Sequence, residues 1–230
     1  MSDTEIQLKK DKMERLISDF RLLRAEQRTE RVARMRRFIL DFDLCARREA
    51  DFNVFALLGV KTDEVRHSRF LAWLLNSRSD HRQGNMFLRA FVDLCDIAIP
   101  PDVLNKYHVR TESSGSEAII DIMACRRTEF LIYLENKILA PEGSNQVDRE
   151  FRDMQRAGAT LRVPEERQFA VFLTPDGRAP VSGDATRWIT VSYREIAAEF
   201  DKLLPRITVG KVSFVLGDWI RTISAFGGLQ

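Results

Sequence analysis

The chain has 230 residues, 44% hydrophobic and 30% charged, and its 36 Lys+Arg against 34 Asp+Glu leave a formal net charge of +2. A globular chain of this size buries about 70% of its unfolded surface; the composition excludes a disordered chain, a histone-like polycation and, with no run of about 18 apolar residues, a transmembrane helix. The charged start is unlike a signal peptide, and the separated Cys45, Cys95 and Cys125 lack CxxC spacing, so a cytoplasmic protein without disulfides, a thiolate zinc site or a membrane partner is expected.

Residues 4–48 contain neither Gly nor Pro, and Met13, Leu16, Ile17, Phe20 and Leu23, then Met35, Phe38, Ile39 and Phe42, recur at the helical period. This predicts a long N-terminal helical extension over 1–48, ahead of a second domain over 49–230. Between Arg21 and Arg37 seven arginines face only Glu26 and Glu30. That is either the solvated face of a packing or dimer-forming helix or a basic arm for a phosphate backbone. Residues 53–96 stay helical in two pieces broken at Asn76-Ser77 and Gly84, and Pro100-Pro101 stops them. A strand over 107–111, a turn at Ser113-Ser114-Gly115, and strands over 118–125 and 130–137 follow. A helix over 144–157 closed by Gly158 leads to a strand over 168–174, the turn Pro175-Asp176-Gly177, a strand over 188–191, and helices over 193–204 and 212–226. This order predicts an α/β fold, a mixed β-sheet flanked by helices.

The chemistry concentrates in the second and third strands. Asp121 interrupts the apolar run Ala118-Ile119-Ile120…Ile122, and Phe130-Leu131-Ile132-Tyr133-Leu134 ends in Glu135-Asn136-Lys137. An unpaired buried carboxylate costs several kcal/mol, so an acid in such a run requires a partner or a metal ion. Glu135 and Lys137, two apart on a strand, share a face. If Asp121 lies opposite, two carboxylates and an ammonium converge in a manner suited to Mg²⁺. Such an ion would polarise a phosphodiester and acidify a bound water, while the lysine orients or deprotonates that water. A four-residue loop over 126–129 would set Asp121 against Leu134. Pairing with Glu135 therefore requires a loop of odd length or a bulge.

Asp121 with Glu135-x-Lys137 resembles the PD-(D/E)xK nuclease superfamily. Glu64, His67-Ser68, Phe70-Leu71, Trp73-Leu74-Leu75 and later His81 are similar to the N-terminal helical segment of one prokaryotic branch. Glu135-Asn136-Lys137-Ile138 followed by Gln146 resembles its E-N-K-I…Q arrangement, and Phe172-Leu173-Thr174-Pro175 with Trp188…Val191-Ser192-Tyr193 its later strand and helix start. The resemblance covers about residues 53–226. It implies a restriction-endonuclease-like αβββαβ core and hydrolysis of nucleic-acid phosphodiesters, DNA in preference to RNA, with a role in prokaryotic defence against foreign DNA by analogy alone. It also implies Mg²⁺, with Mn²⁺ as a substitute. Asp121 and Glu135 would bind metal, Lys137 would serve the water, Gln146 would support the site or touch the phosphate, and Glu64 would add an acidic metal contact. Ile120 stands where the branch has Pro. Arg149 matches an Arg-Tyr pair but is followed by Glu150, with the aromatic displaced to Phe151.

The plainer roles stand beside these: Gln146 as a helix cap, His67, His81 and His108 as structural histidines, Tyr193 as packing, and Glu112 and Glu117 as surface acids within reach of a metal. Arg149 and Arg152 are either phosphate contacts or solubilising charges. The competing class is a catalytically inactive, nuclease-like scaffold that binds nucleic acid or a protein partner. A homodimer through the N-terminal helix is a further expectation.

Overall fold

The computed structural model describes residues 12–13, 15–16, 18–20, 23–24, 27–35, 37, 52–115 and 119–228, with the side chains of 112–114 and 227–228 not described. The chain divides into two units, Met1–Phe52 and Asn53–Gln230. In the first, the described residues between 12 and 37 are helical and exposed. Met13, Leu16, Phe20 and Leu23 are among them, at the three-and-four spacing of one helical stripe. The expected apolar positions Ile17, Phe38, Ile39 and Phe42 lie outside the described residues.

The second unit is a five-stranded sheet in the order β1-β2-β3-β4-β5. The strands are β1 (His108–Ser114), β2 (Ile119–Arg126), β3 (Phe130–Asn136), β4 (Gln168–Thr174) and β5 (Trp188–Ser192). The first three form an antiparallel meander, and β3, β4 and β5 run parallel, as the βαβ crossover requires. Helices α1 (Val54–Leu57), α2 (Glu64–Leu75), α3 (Met86–Leu94), α4 (Gln146–Leu161), α5 (Tyr193–Asp201) and α6 (Gly210–Ser224) complete it. The mixed sheet flanked by helices is the expected α/β, restriction-endonuclease-like architecture.

The two-residue side-chain period of the strands divides the core. Ile122, Ala124, Ile132, Leu134, Val171 and Leu173 face α2, α3, α5 and α6, whose Leu71, Leu74, Phe91, Phe200 and Trp219 complete one apolar cluster. Met123, Cys125, Leu131, Tyr133, Ala170 and Phe172 face the other way, against Val147 and Met154 of α4. Asp121 and Glu135 therefore belong by parity to the α4 side.

Two local details differ from expectation, and a third meets it. Ser113-Ser114 is not a turn: β1 continues through it because Ser113 and Ser114 pair with Ile120 and Ile119. Gly158 does not close α4, which runs to Leu161 and is capped by Arg162 at φ 57°. A Cβ on Gly158 would come within 2.2 Å of the Gln168 amide, so this glycine allows helix and strand to approach. The β2–β3 loop holds three residues, 127–129, because Arg126 pairs with Phe130. Thr128 takes the left-handed position at φ 65°, as three-residue hairpins require. The odd loop length supplies the register that the sequence demanded.

Candidate active site

The register Met123↔Tyr133, Ile122↔Leu134, continued by one residue, brings Asp121 beside Glu135. Asp121 Oδ2 accepts a 2.9 Å hydrogen bond from the Asn136 backbone N–H, which ties the carboxylate to the end of β3. Glu135 is 2% exposed. Its Oε1 receives the Lys137 ammonium at 2.9 Å and the Gln146 amide at 2.6 Å, and its Oε2 has no hydrogen-bond partner. Three residues separated in sequence, Asp121, Glu135 and Lys137, are thus gathered at the open end of two neighbouring strands.

Helix α4 adds two more. Gln146 and Glu150 are four apart and share a helix face. The Gln146 amide nitrogen donates to Glu135 Oε1 and, at 2.7 Å, to Glu150 Oε1, while its own carbonyl oxygen accepts from the Gly143 N–H. Gln146 is therefore a clamp between two carboxylates. Glu150, 1% exposed, is a site residue that sequence reading set aside as a departure from the branch pattern. The signal that could have found it is its i+4 spacing from Gln146.

Electrostatics follow from this crowding. Burial, then the like charges of Asp121 and Glu150, push the Glu135 carboxyl well above the usual range, with Lys137 opposing. Glu150 is pushed up to about 7, chiefly by burial, against the Gln146 hydrogen bond and the Lys137 charge. For Lys137, burial alone would lower the pKa, but the Glu135 carboxylate and its ion pair, aided by Glu64 and Asp121, reverse this and raise it. Without a bound cation this arrangement favours the ammonium form, which suits orienting water and neutralising charge.

Glu64 reaches the site differently from expectation. Its Oε1 accepts from the backbone N–H groups of Ile138, Leu139 and Ala140 at 2.7, 3.0 and 2.9 Å. Among the described residues no three His, Cys, Asp or Glu side chains form a ready ligand set, and Glu64 Oε1 is taken up by the three amides. The reason is local: three amides left bare by the turn after β3 need an acceptor, and a carboxylate at the N-terminus of α2 supplies it. Glu64 anchors the turn that carries Lys137.

Asn136, between the two charged residues of the motif, points to the opposite face. Its amide nitrogen donates to the Glu64 carbonyl at 3.1 Å and to Ser68 Oγ at 3.0 Å, and its oxygen accepts from the Tyr193 hydroxyl at 2.8 Å. It links β3 to α2 and α5, and Tyr193 does more than pack. His67 is fully buried. The Trp219 indole N–H donates to its Nδ1 at 2.9 Å, and its Nε2 faces the Lys61 carbonyl at 2.8 Å. Indole only donates, so the proton sits on Nε2. His81 is held likewise, with Nδ1 accepting from the Gln83 N–H and Nε2 facing the Asn76 carbonyl. Both are structural, and His108 is exposed on β1. Arg149 donates to the Ser144 carbonyl. Glu117 and the Glu112 side chain lie outside the described residues.

The donor set fits a hard divalent cation. The buried carboxylates Glu135 and Glu150 outnumber the half-buried Lys137 ammonium, and an orphaned Glu135 oxygen lies among them; Mg²⁺ takes one or two carboxylates and completes its shell with water or phosphate oxygens. An open, mainly apolar groove of about 900 Å³, lined by Val54, Phe55, Phe70, Trp73, Val212 and Val215, contains none of these groups. The groove's charged residues, Arg66, Arg69, Asp80 and Lys211, include a single carboxylate, whereas metal-assisted phosphodiester chemistry is served by grouped carboxylates, so the carboxylate cluster is the candidate site. Comparison with known families gives one match: the model of the PD-(D/E)XK nuclease superfamily covers residues 52–215. No curated protein and no solved structure matches the chain significantly.

Proposed function

From the premise that the chain belongs to the PD-(D/E)XK nuclease superfamily, a family generally of nucleases, we propose that it is a divalent-metal-dependent phosphodiesterase acting on DNA in preference to RNA. The observation that carries this is the meeting of Asp121, Glu135 and Lys137, with the Lys137 ammonium 2.9 Å from a carboxylate that is almost wholly buried. Asp121 and Glu135 would hold Mg²⁺ or Mn²⁺, which when bound polarises the phosphate and acidifies water. Lys137 positions the attacking water and offsets negative charge on the phosphate. Gln146 fixes the Glu135 carboxylate, Asn136 fixes Asp121 through its backbone N–H, and Glu64 holds the turn that sets the direction of Lys137.

Defence against foreign DNA in the prokaryotic cytoplasm is the setting proposed; among the described residues no helix is long and apolar enough to cross a membrane, and the buried Cys95 and Cys125 are free thiols. The N-terminal helix forms a homodimer in this reading, supported by the exposed stripe Met13, Leu16, Phe20 and Leu23. Incubation with plasmid, linear and single-stranded DNA and with RNA, in Mg²⁺ or Mn²⁺, tests the proposal. Cleavage abolished by chelation and by Lys137→Ala in a folded protein is expected. Cleavage indifferent to Lys137→Ala and Asp121→Asn would remove these residues from the chemistry.

A further inference from the structure

Glu135 and Glu150 present one problem twice. Each is nearly sealed from solvent, each gives its Oε1 to the same Gln146 nitrogen, and each has a buried Oε2 without a hydrogen-bond partner. Gln146 cannot relieve them, because both of its amide hydrogens go to the Oε1 atoms and its oxygen accepts from Gly143. The Lys137 ion pair is made to Glu135. Two adjacent buried carboxylates with unmatched oxygens are costly unless a proton or a cation lies between them.

We infer that Glu150 is a further carboxylate ligand of the divalent-cation centre, so that acid groups from β2, β3 and also α4, which form no ready three-ligand set among the described residues without the ion, are drawn together when it binds. This rests on the metal-dependent reading above. A cation there would engage the two orphaned Oε2 atoms, and Gln146 would keep the carboxylates aimed at it. Position 150 is well suited to this, because one helical turn beyond Gln146 returns it to the same face, with no loop whose ordering would add cost.

The test is calorimetric titration of the full chain with Mn²⁺, without nucleic acid, comparing wild type with Asp121→Asn, Glu135→Gln, Glu150→Gln and Glu150→Asp, together with the cation-induced rise in thermal midpoint. Loss of affinity of about tenfold or more in Glu150→Gln, with a smaller loss in Glu150→Asp and parallel losses in Asp121→Asn and Glu135→Gln, is the expected result. If Asp121→Asn and Glu135→Gln lose affinity while both Glu150 variants bind Mn²⁺ as wild type does, the inference fails, the metal-dependent reading stands, and the two glutamates merely share a proton. If wild type binds no Mn²⁺, or Asp121→Asn and Glu135→Gln bind it unchanged, the metal-dependent reading fails and takes this inference with it. Thermal midpoints measured in chelator confirm folding of each variant, and Glu150→Asp serves should Glu150→Gln not fold.

Discussion

The two faces of the sheet treat buried polar groups in opposite ways. On the face covered by α2, α5 and α6, His67, Asn136 and Tyr193 are buried and linked by hydrogen bonds that use both imidazole nitrogens and both ends of the amide. On the face covered by α4, Glu135 and Glu150 are buried just as deeply yet keep oxygens without partners. A satisfied network specifies packing, whereas an unsatisfied one stores an electrostatic demand that a ligand can meet. The contrast separates residues whose polar groups are satisfied within the fold from residues left with an electrostatic demand, although both kinds sit within a few positions of each other in the motif.

The largest expected effect breaks the α4 face without harming the fold. Glu135→Gln should cut metal-dependent cleavage by roughly 10³-fold in a protein that still unfolds cooperatively in chelator, with a modestly lower thermal midpoint because the Lys137 ammonium loses its 2.9 Å partner. A large drop in midpoint would mean that Glu135 is structural. The opposite outcome is expected across the sheet. Trp219→Phe removes the donor to His67 and leaves space in a filled core, costing about 2–4 kcal/mol in urea unfolding, with cleavage per folded molecule unchanged.

Acidity should move the faces in opposite directions. Glu150 has a folded pKa of about 7 against an ordinary 4.5, so the native protein binds the extra proton between these values. In chelator, the stability advantage of Glu150→Gln over wild type should therefore be smallest near pH 4.5 and grow as pH rises toward 7. Burial lowers the pKa of both His67 and His81 below 6.5. The unfolded chain then binds more protons below pH 6.5, and these histidines contribute stability that is lost as pH falls through and below that value. Urea unfolding across pH 4.5–7.5 resolves the two trends, and a Glu150→Gln advantage independent of pH would contradict the first.

The smallest effect lies in the hairpin common to both faces. Thr128 is β-branched at φ 65°, a conformation that glycine adopts freely, so Thr128→Gly should stabilise by about 0.5–1 kcal/mol. No gain would show that its hydroxyl, bonded to the Arg127 carbonyl, offsets the strain.

The hairpin and the side chains it brings together were legible in the sequence because period-two alternation is local. A lone Asp121 in an apolar run, and Glu135 two before Lys137, determine which side chains share a face, and the register they require implies an odd loop. What was not legible depends on distant neighbours. Ser113-Ser114 looks like a turn until Ile119 and Ile120 pair with it. Gly158 looks like a helix stop until Gln168 is seen against it. Glu64 reads from the sequence only as an acid near the site, and the fold alone shows the bare amides of 138–140 gathered on its Oε1. Glu150 was visible as a residue but not as a partner, since only the fold lays α4 over Glu135.

The most direct test of the central claim is single-turnover cleavage of an end-labelled DNA duplex in Mg²⁺ by wild type, Asp121→Asn and Lys137→Ala, each verified as folded. The expected result is cleavage by wild type that stops on chelation and falls by two or more orders of magnitude, roughly, in both variants. Equal cleavage by all three proteins would contradict it.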